Sequence, residues 1–331
     1  MRAVTVVQGH LQVLDRPDPS PEGDQVLIRV HGAGLNRADL LQRAGRYPAP
    51  PGVPADIPGL EFAGVVEALG PEASGVRIGD PVFGITGGGA QAEYLLVPAG
   101  HCAPVPPGPD LVAMGGVPEA FITAHDAMVT QAGGSAGDWV LIHAVGSGVG
   151  TAGLQLAKAL GAHVVGTART AEKLDRCTAL GLDHGIVPAL RADGTLDTDA
   201  LAFAVIEATG AGADVTLDLV GGAYVEASIG AAAVLGRIVL IGALGGGSAN
   251  LSVMGVMGKR LRIFGTVLRA RDKAEKAAAT DAFVRDVVPF LASQAVAPVV
   301  DAILPLADAE AAYDLLASDT TFGKVILDCR G

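Results

Sequence analysis

The stretch WVLIHAVGSGVGTAGLQLAKALG, from Trp139 to Gly161, decides the fold that we predict for this chain. Its apolar run up to Ile142 has the length of a buried parallel strand. The helical pattern that begins at Gly148 ends at Gly161, where a residue free to adopt positive φ is favoured. Because the N–H groups and the dipole at a helix start attract a pyrophosphate, the stretch predicts a strand, a glycine turn and a helix that bind a dinucleotide.

The glycine spacing alone is weaker evidence than this context. Gly148, Gly150 and Gly153 satisfy G-x-G-x-x-G in a register inside the helix, and a chain with 46 glycines produces such matches by chance. The preceding strand and the following helix are what favour the site. We therefore place the turn at Ser147, with Val145 and Ser147 standing where other Rossmann turns have glycine.

The next strand predicts the cofactor preference. It spans Ala162–Thr167 and completes a β-α-β unit, after which an NAD-binding protein usually carries Asp or Glu for the ribose hydroxyls. This chain instead has Arg169 and, one turn later, Lys173. Two cations in place of a carboxylate favour NADPH. The alternative is that both are solvated charges at a helix start, where they oppose the dipole.

Length, composition and charge limit the function classes. With 331 residues, 50% of them hydrophobic and 18% charged, we expect a well-buried protein of two domains. The net charge of −12 argues against nucleic acid or an anionic membrane as a partner. The sequence lacks an apolar run of membrane-spanning length and an N-terminal signal peptide, so we expect a cytoplasmic protein.

The three cysteines and seven histidines lie far apart in the sequence and form no pattern with metal-ligand spacing. We therefore predict neither a disulfide framework nor a metal site, and we interpret the cysteines as reduced thiols.

Three regions follow from the element pattern. Residues 1–118 contain short β segments with frequent Gly and Pro, typical of a compact β-rich domain. Residues 119–268 alternate strands and helices, including an alanine-rich helix at Ala223–Leu235 and an edge strand at Arg262–Leu268, and so predict a doubly wound parallel sheet. Residues 269–331 are too few for a third domain, so we expect them to rejoin the first region.

A ligand of such a sheet binds outside the carboxyl ends of its strands. The cofactor-binding residues that we predict are Ser147, Gly148, Val149, Gly150, Gly166, Arg169, Lys173, Val220, Gly242, Ala243, Leu244, Thr266 and Leu268.

Segments along the whole chain resemble the zinc-independent quinone oxidoreductases of the medium-chain dehydrogenase/reductase superfamily, in the branch whose glycine turn reads S-G-V-G-T-A. The matching segments are Asn36–Arg43, Gly59–Gly64, Gly87–Gly89 with Ala92–Tyr94, Pro118–Ala124, Ser147–Ala152, Gly265–Arg271 and Gly323–Val325.

The resemblance implies an α/β protein with a GroES-like catalytic domain in two segments, an inserted Rossmann domain, NADPH in the cleft between them and a homodimer joined through the Rossmann edge. It also implies reduction of quinones or of related α,β-unsaturated carbonyl compounds. Zinc-dependent relatives carry Cys and His–Glu ligands near the positions of Asn36 and Leu60-Glu61, and a four-cysteine lobe beyond residue 80. Because the Cys and His ligands and the lobe are missing from this sequence, the resemblance implies a metal-free mechanism.

The resemblance also selects residues for hydride transfer to an acceptor. Tyr47 is the first candidate to stabilise the negative charge that develops on the acceptor oxygen, and Asn36 and Thr123 orient acceptor and nicotinamide. Arg269 either contributes a cation to the substrate site or fixes the returning segment to the Rossmann domain. The alternatives are loop packing for Tyr47 and a helix N-cap for Asn36. The sequence shows no convincing buried acid, and water can protonate a reduced quinone.

The preferred function is thus an NADPH:quinone oxidoreductase. A second hypothesis is an enoyl or alkenal reductase, in which hydride reaches a β-carbon and an enolate forms. A third, from another class, is an NADPH-binding sensor or structural protein with little turnover.

Overall fold

A computed structural model describes residues 1–330 and divides into two compact units. The discontinuous unit contains Met1–Ile122 and the segment that begins at Leu268. The central unit contains Thr123–Val267. Among the described residues, no helix has both the length and the apolar character needed to cross a membrane.

The strands are, in chain order, β1 (Arg2–Val7), β2 (His10–Asp15), β3 (Gln25–Gly34), β4 (Glu61–Leu69), β5 (Pro81–Ile85), β6 (Tyr94–Pro98), β7 (Cys102–Pro104), β8 (Trp139–Ile142), β9 (His163–Thr167), β10 (His184–Ile186), β11 (Ala213–Asp218), β12 (Ala232–Leu240), β13 (Arg262–Gly265), β14 (Val300–Pro305) and β15 (Lys324–Asp328).

The α-helices are α1 (Arg37–Arg43), α2 (Leu111–Met114), α3 (Pro118–His125), α4 (Gly148–Ala159), α5 (Ala171–Thr178), α6 (Thr198–Thr209), α7 (Ala223–Ala231), α8 (Val253–Lys259), α9 (Lys273–Asp286), α10 (Val288–Ala292) and α11 (Ala309–Ala317). A π-helical segment, Asp126–Gln131, directly follows α3.

The discontinuous unit is built on a sheet with the strand order β14-β15-β3-β4-β5-β7, and β6 also pairs with β3. Strand β15 is antiparallel to β3, with Ile326 opposite Gly34. The core beneath this sheet combines Phe62 from β4 with Tyr313 from α11 and Val325 from β15. The C-terminal segment therefore completes the sheet and core of the N-terminal region, as the sequence predicts.

The central unit has a sheet with the strand order β10-β9-β8-β11-β12-β13, and every neighbouring pair is parallel. This is the doubly wound order in which the chain reverses its winding direction between the first and fourth strands, here β8 and β11. Leu141 and Val165 on the sheet pack with Leu201 and Val205 on α6. The α/β architecture with a Rossmann sheet is confirmed.

Two element boundaries differ from the prediction. The alanine-rich segment is not helical to Leu235, because α7 ends at Ala231 and Ala232 pairs with Ala213 in the sheet. Leu235 also has φ of 66°, which an α-helix excludes. The edge strand ends at Gly265 rather than Leu268. Sheet pairing overrides the helix propensity of alanine here.

Candidate functional site

The turn between β8 and α4 presents a helix N-terminus at the carboxyl edge of the central sheet. Ser147 occupies the N-cap position, and its hydroxyl oxygen accepts a hydrogen bond of 3.1 Å from the Gly150 N–H. The Gly148 and Val149 N–H groups belong to the first helical turn and therefore have no acceptor within the helix. The turn thus offers two backbone donors and a positive dipole end to an anion.

Close packing explains why two glycines lie here. A Cβ on Gly150 would lie 2.5 Å from the Ala144 carbonyl oxygen, and one on Gly166 would lie 2.7 Å from a Val145 methyl carbon. The positive φ that this turn requires falls on Ala144, at 52°, and not on its glycines. Gly150 and Gly166 therefore permit close approach of turn, helix and strand.

The loops after successive strands form a continuous row along this edge. The Val145 N–H donates to the Thr167 carbonyl oxygen at 2.9 Å, and the Gly245 N–H donates to the Val220 carbonyl oxygen at 2.8 Å. Thr266, which follows β13, accepts a hydrogen bond from the Gln131 side chain. The predicted residues in this row are Ser147, Gly148, Val149, Gly150, Gly166, Arg169, Lys173, Val220, Gly242, Ala243, Leu244 and Thr266. Leu268 lies in the discontinuous unit and is buried.

The two predicted phosphate-binding cations flank the start of α5. Arg169 directly precedes the N-cap residue Thr170, and Lys173 lies in the first turn. Arg169 is close enough to Tyr224 to lower the pKa of that phenol, although burial raises it more strongly.

A buried histidine behind the row was not predicted. His143 follows β8 and is fully buried, with Nδ1 3.1 Å from Thr167 Oγ1 and Nε2 3.0 Å from Ser228 Oγ. The Ser228 hydroxyl donates to the Tyr224 carbonyl oxygen, so Nε2 carries the ring proton and Nδ1 accepts from Thr167. Burial lowers the pKa of His143 to about 4, against the attraction of Asp218.

The discontinuous unit contains a buried polar cluster that includes Asn36. The Lys324 ammonium donates to Glu61 Oε1 at 2.6 Å, to the Leu35 carbonyl oxygen at 2.6 Å and to Asn36 Oδ1 at 2.8 Å. Asn36 Nδ2 donates to Glu61 Oε1 at 3.0 Å and to the Gly34 carbonyl oxygen at 3.3 Å. Because an ammonium only donates and a carboxylate only accepts, these partners fix the orientation of the Asn36 amide.

This cluster narrows the role that Asn36 can have. Its two N–H protons are both used within the cluster, so the side chain can offer a ligand only the Oδ1 oxygen, which accepts hydrogen bonds and does not donate them. The Asn36 backbone N–H donates to Asp39 Oδ2 at 2.8 Å, and burial raises the pKa of Asp39 to about 6.

Tyr47 is held by Arg269. The guanidinium lies 4.6 Å from the centre of the Tyr47 ring and donates to the Tyr47 carbonyl oxygen at 3.0 Å. It also donates to the Gly87 carbonyl oxygen at 2.8 Å and to Gln42 Oε1 at 2.6 Å. Arg269 therefore fixes the returning segment to the first segment of its own unit and orients the Tyr47 loop.

The Tyr47 hydroxyl is suited to donate a hydrogen bond. The side chain is half-buried, and burial raises the pKa of its phenol despite the opposing influence of Arg269. Within residues 1–330 the hydroxyl forms no hydrogen bond, so it is available to a ligand. Thr123, in the last turn of α3, is buried.

Two charged residues of this region were missed by the sequence reasoning. Both lie in segments that match the family, Pro118–Ala124 and Gly323–Val325, but the sequence does not single them out. Glu119 is partly exposed, its N–H donates to Glu61 Oε2 at 2.9 Å, and burial raises the pKa of its carboxyl to about 8. No sequence signal separates these residues from solvated charges, because only the fold reveals that Lys324 is buried and that Glu119 lies beside Glu61.

Two family models match the chain. Residues 22–107 match the alcohol dehydrogenase GroES-like domain, and residues 148–283 match the zinc-binding dehydrogenase family. Among the described residues, no group of His, Cys, Asp and Glu side chains is arranged to hold a metal ion.

Curated relatives include enzymes and larger assemblies. A quinone oxidoreductase of Lama guanicoe is 31% identical over 338 residues, which cover 99% of this chain and 97% of the relative. The spectinabilin polyketide synthase system protein NorB of Streptomyces orinoci is 37% identical over 224 residues, which cover 66% of this chain but only 9% of NorB.

Solved structures agree with this relationship. The quinone oxidoreductase from Thermus thermophilus, described alone and in complex with NADPH, is 30% identical, with a TM-score of 0.81 and coverage of 99% of this chain and 100% of that one. An NAD-dependent alcohol dehydrogenase is 31% identical, with a TM-score of 0.84 and coverage of 99% of both chains.

Proposed function

We propose that this chain, which belongs to the quinone oxidoreductase family of the medium-chain dehydrogenase/reductase superfamily, is an NADPH-dependent quinone reductase. The observation that carries the proposal is the row of strand-end loops in the central unit, which combines a free helix N-terminus with Arg169 and Lys173. The quinone substrate is supported by the relatives of that name.

The residues of the row fit a nicotinamide dinucleotide with a 2′-phosphate. The Gly148 and Val149 N–H groups would bind the pyrophosphate, and Arg169 and Lys173 would bind the 2′-phosphate in place of the carboxylate that an NAD site carries. When bound, the dihydronicotinamide supplies a hydride to the acceptor.

The discontinuous unit supplies the polar groups for the acceptor. Tyr47 would donate a hydrogen bond to the acceptor oxygen as negative charge develops there, and Arg269 keeps the Tyr47 ring in place. Asn36 has only its Oδ1 acceptor to offer, so it would position the nicotinamide by accepting from the N–H of its carboxamide, and Thr123 would orient the acceptor or the nicotinamide.

A catalytic zinc ion does not fit this unit. The Asn36 and Glu61 oxygens already accept hydrogen bonds from the Lys324 ammonium, and a buried cation there repels a second cation. The proposed mechanism therefore uses hydrogen-bond donors of the chain to stabilise the oxyanion.

The similarity to NorB supports a second candidate substrate. A polyketide chain is rich in carbonyl groups, so a relative of a polyketide synthase is expected to accept an α,β-unsaturated carbonyl compound. The same Tyr47 hydroxyl would then stabilise an enolate oxygen.

Initial rates distinguish these functions. The purified chain is assayed with NADPH and NADH against quinones of graded size and against enones and enals. The proposal requires that the chain oxidise NADPH when a quinone is present, with a higher kcat/KM for NADPH than for NADH. Faster reduction of enones supports the second candidate, and NADPH binding without oxidation by any acceptor would indicate the sensor function instead.

A further inference from the structure

Glu119 is connected to Asn36 through Glu61, is near Tyr47 and precedes Thr123 on the same helix. Its backbone N–H is bound by Glu61 Oε2 at 2.9 Å, and Glu61 Oε1 accepts from Asn36 Nδ2 at 3.0 Å. Thr123 follows Glu119 by four residues on α3, so the two side chains lie on the same helix face. Tyr47 is near enough for the Glu119 charge to raise the pKa of its phenol.

Glu119 is a partly exposed residue whose carboxyl is not used within the chain. Among residues 1–330, no side chain or backbone group hydrogen bonds to this carboxyl. Its neighbour Glu61, in contrast, is fully buried and accepts from Lys324, Asn36 and the Glu119 N–H. Glu61 therefore has a structural role. The Glu119 carboxyl, in contrast, is available to a ligand.

The surroundings of Glu119 favour its protonated form. Burial raises the pKa of this carboxyl to about 8, the nearby Glu61 and Asp39 carboxylates add to the rise, and Lys324 and Arg269 oppose it. The helix dipole also opposes it, but a helix start shifts a pKa by less than about one unit. The titratable groups facing Glu119 from the surrounding elements are Asp39 (α1), Tyr47 (the loop after α1), Glu61 (β4), Arg269 (the segment before α9), Lys276 (α9) and Lys324 (β15).

We propose that the Glu119 carboxyl donates the proton that the acceptor gains during reduction, a role that rests on the function proposed above. A hydride from the bound dihydronicotinamide would reduce the acceptor by two electrons, and Tyr47 would stabilise the oxyanion that results. The O–H bond of Glu119 then breaks as a new O–H bond forms on that oxyanion, and the Glu119 carboxylate regains a proton from water. For a quinone, one hydride and one proton together give the neutral hydroquinone.

The pH dependence of kcat/KM tests this donation. In the wild-type chain, kcat/KM for an acceptor that is active with NADPH falls about tenfold per pH unit above about pH 8, because the donor is ionised there. Glu119→Gln is expected to lower kcat/KM about 10²-fold and to remove this alkaline limb. Glu207→Gln, which changes an exposed carboxyl on α6, is the matched control and keeps the wild-type profile.

Unfolding measurements test the protonation state without turnover. The folded chain holds a proton on Glu119 up to about pH 8, whereas the unfolded chain loses it near pH 4.5, so wild-type stability falls as pH rises through this window. Glu119→Gln lacks this effect. The folding equilibrium constant of the variant relative to wild type therefore rises with pH, by at most about tenfold per unit.

The outcomes separate the two proposals. Lack of turnover by the wild-type chain overturns the proposed function, and the donation with it. Wild-type turnover together with an unchanged alkaline limb in Glu119→Gln overturns the donation alone, and so does a relative stability that does not vary with pH. If Glu119→Gln does not fold, the wild-type infrared spectrum decides: a protonated-carboxyl band that persists above the titration of Asp39 near pH 6 and disappears near pH 8 supports the donation, and the absence of any such band above pH 7 overturns it.

Discussion

The Lys324 ammonium lies 2.6 Å from Glu61 Oε1, and the two side chains are 5% and 0% exposed. The pair connects β15, near the C-terminus, to β4 in the N-terminal segment. A buried pair adds little net stability compared with apolar residues, because desolvation offsets the attraction. Loss of one partner is different, since it leaves a buried charge without compensation.

We therefore expect Lys324→Met to lower the free energy of unfolding by about 3–5 kcal/mol, measured by urea denaturation. The double variant Lys324→Met/Glu61→Gln removes the orphaned charge and should recover part of this loss. Arg29→Met breaks an exposed pair with Glu67, in which the side chains are 52% and 46% exposed, and should cost no more than about 1 kcal/mol. If Lys324→Met and Arg29→Met lowered the free energy of unfolding equally, the buried pair would not differ from an exposed one, and the prediction would be contradicted.

Tyr47→Phe tests the hydrogen bond to the acceptor oxygen. The Phe ring keeps the contact with the Arg269 guanidinium, so Tm should stay at the wild-type value. Loss of the hydroxyl should lower kcat by about 10²-fold, as for the removal of one oxyanion donor. If kcat and kcat/KM were unchanged with the acceptor that the wild-type chain reduces best, Tyr47 would have no role in the mechanism.

Arg169→Ala/Lys173→Ala tests the cofactor preference. Each charge-assisted contact with a phosphate contributes about 1.5–3 kcal/mol, so the double variant should lose the preference for NADPH over NADH in kcat/KM. Arg176→Ala, on the exposed surface of the same helix, should keep it. Equal use of both cofactors by the unaltered chain would refute the assignment.

The strand, turn and helix from Trp139 to Gly161 were predictable because local chemistry determines them. The apolar run ends at Ile142, Ser147 caps the helix, and Gly161 adopts φ of 80° after it. The end of α7 was not predictable from local chemistry, because alanine favours helix and only the pairing of Ala232 with Ala213 makes the segment extended.

Only part of the candidate site could be predicted from the sequence. The resemblance selected Asn36 and Tyr47. The sequence does not show, however, that the Asn36 amide donates both of its protons within the chain, to Glu61 and to the Gly34 carbonyl oxygen. The burial of Lys324 and the position of Glu119 beside Glu61 depend on β4, β15 and α3, which are far apart in the chain. Contacts between such distant segments change the environment of a charged side chain, and they leave no pattern in the neighbouring sequence from which this could be predicted.

The predicted homodimer, joined through the Rossmann edge, can be tested at α8, the helix that leads into the edge strand β13. Large apolar side chains are exposed there, including Met254 and Met257 at 76% and 64%. Large apolar side chains that are this exposed are typical of an interface. Met254→Glu/Met257→Glu should convert dimer to monomer in light scattering, whereas Phe203→Glu, on the exposed side of α6, should not. A monomeric wild-type chain would contradict the prediction.

His143 should make the stability of the chain depend on pH between about 4 and 6.5. Its folded pKa is about 4, below the ordinary value of 6.5, because the neutral ring is buried between Thr167 and Ser228. The unfolded chain therefore binds more protons in this window, and the free energy of unfolding falls as pH falls, by at most about 1.4 kcal/mol per pH unit. Above pH 6.5 the ring is neutral in both states, and this contribution is constant.

His143→Gln separates this effect from the other titrating groups. The carboxyls of Asp39 and Glu119 have raised pKa values and so act in the opposite direction, which makes the wild-type curve alone a poor measure. The difference between wild type and His143→Gln, from urea denaturation followed by circular dichroism, should narrow as pH falls from 6.5 to 4. Ser228→Ala keeps the imidazole and should lower stability by a similar amount throughout. Parallel curves for wild type and His143→Gln would show that the buried imidazole does not control the acid response.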